Sequence, residues 1–318
     1  MPSPVRHMLP VLLLLAGLLL AGLVVWWADP GSVLDAVLRV GWGGFALLVG
    51  WQFLLFAVLA LAWHVLAPGG YSVLLRARMV RDSATTCLPF SPLGGYVLGA
   101  RAAGLAGLAW PLAAAGTVVD VAAEIVAQAV FTLAGVAALA ARLPHSSLAI
   151  PLAIALALAG LAALAVRHRR RLAGWLGGLL DAIGGRIGAD WLGAIRTELA
   201  ALAPSPARFA LGVSLHLLAW VMTGVGTWLA YRLLGAPVSL GDAIALEALL
   251  DAVVAVAFVV PAGAGVQEAG YAGLGVLFGI PPDDSLGVAV LRRARDVAVG
   301  APILLAWQVA EWRAARRR

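Results

Sequence analysis

Apolar positions fill long stretches of this chain, and prolines and charges gather mainly between them. Runs at 8–27, 42–66, 111–139, 147–166, 209–234 and 286–310 are each long enough, as helices, to cross a hydrocarbon layer of ~30 Å. Six spans are predicted on that ground. Two further apolar stretches, 71–105 and 240–280, are interrupted, one at Leu88-Pro89-Phe90-Ser91-Pro92-Leu93-Gly94-Gly95 and the other at Val260-Pro261-Ala262-Gly263-Ala264-Gly265. Proline removes a backbone donor and glycine leaves a helix easily, so each stretch predicts a helix, a break and a shorter second helix, at 96–107 and 266–279. Those second pieces are too short to cross comfortably and are read as the returning arms of re-entrant hairpins. Broken backbone at membrane depth is tolerated only against protein or a water-filled cavity, which points both breaks at an interior site. The alternative is an eight- or ten-span arrangement in which the broken segments cross fully.

A weak internal repeat underlies this pattern. Shifting the chain by 169 positions brings Trp51 onto Trp220, Ala67-Pro68 onto Ala236-Pro237, Asp82 onto Asp251, Pro92 onto Pro261 and Gly94 onto Gly263. After an insertion the match resumes where Asp120-Val121-Ala122 meets Asp296-Val297-Ala298. Paired Gly/Pro interruptions in two weakly similar halves are a mark of membrane transporters. Because a re-entrant hairpin adds no crossing, an odd number of crossings separates residue 42 from residue 209, and the repeats come out inverted. The expected fold is therefore an all-α polytopic membrane protein, with about six full spans and two Pro/Gly-broken re-entrant hairpins in an inverted repeat. Its parts are a first transmembrane helix and outer loop (1–41), repeat 1 (42–140), a connecting span with a cytoplasmic amphipathic segment (141–208) and repeat 2 (209–318).

Composition agrees with a bilayer protein and excludes an ordinary soluble domain: of 318 residues, 63% are hydrophobic and 12% charged, with mean hydropathy +0.98. The net charge of +6 does not indicate nucleic acid, because all the basic residues are arginines grouped beside apolar runs, as at Arg167 to Arg171 and Arg313 to Arg318. That grouping is the positive-inside bias and places both termini in the cytoplasm, with Asp29, Asp35, Asp283 and Asp284 outside. The first run has a basic flank like a signal peptide but no convincing cleavage site, so it is kept as a helix. The stretch from Leu172 to Pro206 suits an amphipathic helix on the membrane surface. One cysteine, Cys87, rules out a disulfide framework.

Charged residues inside apolar runs cost about 2.5 to 3.5 kcal/mol each at a helix centre and need a partner or a cavity. Asp120 and Glu124 share one helix face, as do Glu247 and Asp251; Arg292, Arg293, Arg295 and Asp296 lie in the last run, and Arg76, Arg78, Arg81 and Asp82 before the first break. In the repeat frame Arg78 falls on Glu247. Two readings stand side by side. In one these are internal ion pairs, Arg81 or Arg101 with Asp120 or Glu124 and Arg292 or Arg293 with Glu247 or Asp251, which let the helices insert and pack. In the other they line a polar cavity. At the second break, Gly263, Gly265 and Gly270 leave backbone N–H groups free where Val266-Gln267-Glu268 starts a half-helix, a setting that favours an anion. Glu268 either caps its own helix there or meets a headgroup. Tyr96 and Tyr271 near the two half-helix starts are as suited to packing as to contact. His7, His64, His145, His168 and His216 are scattered, without metal-ligand spacing, and the chain has no lysine for a phosphate loop. Ser83, Ser91 and Cys87 have no base nearby in sequence. No metal, cofactor or catalytic residue is expected.

The residues at the two breaks also carry a resemblance. Leu88-Pro89-Phe90, Gly94-Gly95 and Arg101, with Pro261-Ala262-Gly263-Ala264-Gly265-Val266-Gln267-Glu268-Ala269, resemble the paired motifs of the lysylphosphatidylglycerol synthase transmembrane-region family. The run from Arg78 through Asp82 to Thr117-Val118-Val119-Asp120 is similar to the hopanoid-biosynthesis-associated inner-membrane proteins within it. The resemblance spans nearly the whole chain and implies a lipid-handling protein of a bacterial inner membrane, akin to the flippase domain of multiple peptide resistance factors. It implies no aminoacylation, since no aminoacyltransferase domain follows Arg318, and Tyr96 stands where many relatives place an acidic residue.

Together these readings predict a lipid translocase rather than an enzyme, moving a hopanoid, hopanoid-linked or charged lipid headgroup through a polar cavity. The expected site comprises Arg78, Arg81, Asp82, Gly94, Gly95, Arg101, Asp120, Glu124, Glu247, Asp251, Gly263, Gly265, Gln267, Glu268, Arg292, Arg293 and Asp296. Arg101, Arg292 and Arg293 are expected on phosphate or another anion, and Glu124, Glu247, Asp251 and Glu268 on amines, hydroxyls or a coupling proton. Membrane lipids are the expected partners, with lipid-biosynthesis proteins as further candidates and no nucleic acid. An intramembrane lipid transferase, or an accessory subunit of one, is the alternative from another class.

Overall fold

A glycine where the chain must bend shapes the first long helix. In a computed structural model, which describes residues 30–88, 91–142, 189–256 and 265–316, α1 (Pro30–Leu66) bends at Gly41, whose φ of 72° is a left-handed value that other residues rarely adopt. The apolar run expected from residue 42 begins at that bend, whereas residues 30–40, expected as outer loop, are helical. After a short turn come α2 (Tyr71–Cys87) and α3 (Ser91–Leu105). The first break is narrower than its Pro/Gly content suggests: Pro92 sits in the first turn of α3, where its missing N–H costs nothing, and Gly94 and Gly95 are helical. α4 (Trp110–Ala140) and α6 (Pro206–Leu233) follow the predicted runs within a few residues, with α5 (Ala189–Leu202) before α6. Ser205 caps α6, its hydroxyl accepting from the Arg208 amide at 3.3 Å. α7 (Leu240–Val256) precedes the second break, α8 (Val266–Leu277) is entered through Gly265 at φ 76°, and α9 (Pro282–Arg316) closes the chain. The expected runs at 8–27 and 147–166 lie outside the described residues.

Among the described residues every regular element is a helix, and α1, α4 and α6 are long and apolar enough to cross a membrane. α9 is longer than two of them but carries Arg292, Arg293, Arg295 and Asp296 in its first half. The repeat is visible in where the short helices begin: α2 and α7 start 169 positions apart. α1 and α6, the first helices of the two halves, run antiparallel. Leu66 packs on Gly212, the Trp51 indole donates to the Met222 carbonyl at 2.8 Å, and Leu233 meets Gly44. Small residues bring backbones together at the crossings, as at Gly135 of α4, where an added Cβ would lie 2.7 Å from that of Ala248 on α7.

Among the described residues three apolar clusters result, the smallest joining Leu55 and Leu59 of α1 with Ala219 and Met222 of α6. Of the larger two, one joins Leu246, Leu250 and Tyr271 with the starts of α1 and α9 and the far end of α4; the other joins Trp63, Leu74 and Ala77 with α3, Ala113 and the end of α9. Val118, Ile125, Val126, Val130 and Leu133 of α4 point outward and are exposed, as a lipid-facing stripe requires.

Candidate functional site

The interior charges gather into two nodes, one for each half of the chain. In the first, Arg78 and Arg81 lie one turn apart on α2 and reach across to α4. Arg78 donates from Nε to Asp82 Oδ2 at 2.8 Å, and its two terminal nitrogens donate to Asp120 and Glu124, each at 3.2 Å. Arg81 Nη1 donates to Asp120 Oδ2 at 2.5 Å, and its other terminal nitrogen pairs with Glu124. On the far side, His216 Nε2 lies 2.9 Å from Asp120 Oδ1, which brings α6 into the node. Asp120 and His216 are both 0% exposed and Arg81 1%. α3 closes over this cluster because it presents glycine: an added Cβ at Gly99 would lie 2.7 Å from the Arg81 Cβ, and Gly95 rests on the Arg81 carbonyl and Thr85. The ring of Tyr96 covers the Arg81 guanidinium at 4.3 Å. Asp120 and His216 each sit about 15 Å along their helices from the N-terminal end, near the middle of a ~30 Å layer if those ends mark its border.

In the second node the charges are exchanged between elements. The acid, Glu247, stands on the short helix α7, and the base, Arg292, on the long helix α9. Glu247 Oε2 accepts from Thr227 Oγ1 at 2.6 Å and from the Tyr271 hydroxyl at 2.8 Å; Oε1 pairs with Arg292, which also donates to the Tyr271 oxygen at 2.9 Å. Asp251, one turn on, is 8% exposed; its Oδ2 is buried without a hydrogen-bond partner. Beside this node Arg293 pairs with Glu268, and Arg295 with Asp296 at 2.6 Å. Arg78 and Glu247, superimposed by the repeat, are thus each the hub of a node.

A family model for the lysylphosphatidylglycerol synthase TM region matches residues 14–303. The chain belongs to this family. No curated protein and no solved structure matches it. Membership makes it a membrane protein of a lipid-related family, and both nodes fall within the matched region.

Of the ion pairs foreseen from sequence, the structure makes Arg81 with Asp120 and Glu124, and Arg292 with Glu247. Arg101 stands apart from both nodes. It is 54% exposed and forks onto Glu311 near the end of α9, with Nη2 to Oε2 at 2.9 Å. Gly265 forms the left-handed entry to α8, Gln267 is half-buried in its first turn, and Gly94 is half-buried in α3. Gly263 lies outside the described residues. Sequence reasoning missed His216, Thr227 and Gln128. The first two are the inward polar groups of α6, and the one signal for them was a polar side chain inside an otherwise apolar run. Among the described residues no group of His, Cys, Asp and Glu could hold a metal ion.

Proposed function

We propose that this protein is a lipid translocase, in which a headgroup passes between the two ionic nodes while its tails stay in the bilayer. The observation that carries this is the pair of buried arginine–carboxylate nodes, each held on a short helix beside a break. A zwitterionic or charged headgroup can replace such pairs group for group: phosphate takes a carboxylate's place on arginine, and an ammonium or hydroxyl takes arginine's place on a carboxylate. A node built only for packing would be served as well by apolar residues, which often replace buried ion pairs without loss.

An inverted repeat of six full spans and two re-entrant hairpins, with both termini cytoplasmic, is the topology we propose around this path. It is supported by the antiparallel packing of α1 on α6, by the matching starts of α2 and α7, and by the arginine bias. In this reading Arg292 and Arg293 hold the anion, and Glu124, Glu247, Asp251 and Glu268 the amine or hydroxyl groups. The resemblance of the Arg78–Asp120 region favours a hopanoid or hopanoid-linked cargo in a bacterial inner membrane. Mass spectrometry of lipid co-purifying with the chain tests the cargo. Reconstitution with labelled phospholipid tests the activity: transfer between leaflets without a covalent product supports translocation, and a new lipid product supports a transferase.

A further inference from the structure

The second node holds a carboxylate with nothing to balance it. Asp251 follows Glu247 by one turn on α7, and the nearby cation, Arg292, gives its Nη1 to Glu247 and the Tyr271 hydroxyl, while its buried Nε bonds to nothing, Asp251 included. The other groups around it do not help. From α4, Gln128 donates to the Asp251 backbone carbonyl at 3.5 Å and not to the carboxylate. From α6 and α8, Thr227 and Tyr271 both donate to Glu247; further along α9, Asp296 is held by Arg295. By contrast Asp82, Asp120, Glu124, Glu247 and Glu268 each have an arginine.

A bare carboxylate so placed would lose hydration and face Glu247, at a cost of several kcal/mol. A metal cation would require about six oxygen ligands, against the single free carboxylate here. A proton requires one oxygen. We propose that Asp251 is the seat of an exchangeable proton, which alternates with the ammonium group of the lipid headgroup. This rests on the translocase reading of the same cavity. With the proton bound, Glu247 and Arg292 neutralise each other and the node is closed. When the proton leaves, the Asp251 carboxylate competes with Glu247 for Arg292. An ammonium headgroup then satisfies the spare carboxylate. One positive charge replaces another, so the node returns to neutrality at each exchange.

Two measurements on the full chain test this. In bilayer discs near pH 7, infrared spectra should show a protonated-carboxyl C=O band that disappears in Asp251→Asn and does not depend on sodium. In vesicles, translocation of fluorescent phosphatidylethanolamine should respond several-fold to an imposed pH gradient in the wild type. The response should be lost in Asp251→Asn and regained in Asp251→Glu. Asn mimics the protonated acid, so the variant should fold. Identical bands in wild type and Asp251→Asn, a band that sodium removes, or a gradient response that survives in Asp251→Asn each overturn the proton seat. A band with the predicted behaviour but no lipid movement under any gradient instead sinks the translocase reading, and the exchange with it.

Discussion

Replacing Asp120 should disrupt the first node more than any other single change there. Its carboxylate takes bonds from Arg81, Arg78 and His216 and is fully buried. In Asp120→Leu both arginines remain, with Glu124 and the half-buried Asp82 alone to meet them. Leaving a buried charge without its partner costs about 3 to 5 kcal/mol. Asp82→Leu should cost far less, because Asp82 is at the rim and meets Arg78 alone at hydrogen-bond distance. Combining Asp120→Leu with Arg81→Met removes both partners of the closest Asp120 pair and returns the node to its native net charge, so the double variant should recover about 2 to 4 kcal/mol of the loss. The assay is reversible unfolding of the purified chain in mixed micelles, as a four-member cycle with wild type. Additive effects, or an Asp120→Leu no worse than Asp82→Leu, would refute the node as a cooperative unit.

Other expectations follow from the same geometry. Arg101→Ala should change stability by less than about 1 kcal/mol in the same assay, because its pairing with Glu311 is largely solvated. Tyr271→Phe deletes the hydroxyl linking Glu247 to Arg292 and should cost about 1 to 3 kcal/mol, with no effect at the first node. In a Cys87→Ser background, single cysteines at Pro68 and Pro237 should react with an impermeant maleimide from opposite faces of the membrane, because α1 and α6 run antiparallel. Labelling from the same face would refute the inverted repeat.

Much of this was legible in the sequence because the bilayer constrains it so strongly. The long helices follow from runs of apolar residues, and the end of α2 from Pro89, which keeps Leu88 extended. Pro92 makes the first break look wider in sequence than it is, since a proline in the first turn of a helix is a start and not a stop. The polar residues of 30–40 suggest loop in sequence and mask a helix that reaches the Gly41 bend. Within the site, the pairs Arg81 with Asp120 and Arg292 with Glu247 could be foreseen, since buried charges of opposite sign must meet. His216 could not, because its partner is 96 positions away and only the packing of α4 on α6 brings them together. Arg101 shows the converse: its sequence neighbours place it near the break, but the helical turn of α3 directs it outward to Glu311.

The most direct test of the central claim is movement of a fluorescent phospholipid between the leaflets of vesicles containing the purified chain, with the lipids analysed for new products afterwards. Translocation predicts transfer well above empty vesicles, no covalent product, and a fall of at least about tenfold in Arg292→Ala and Glu268→Ala, the scale of one lost charge-assisted contact. Transfer no faster than in empty vesicles, a new lipid product, or unchanged transfer in both folded variants would contradict it.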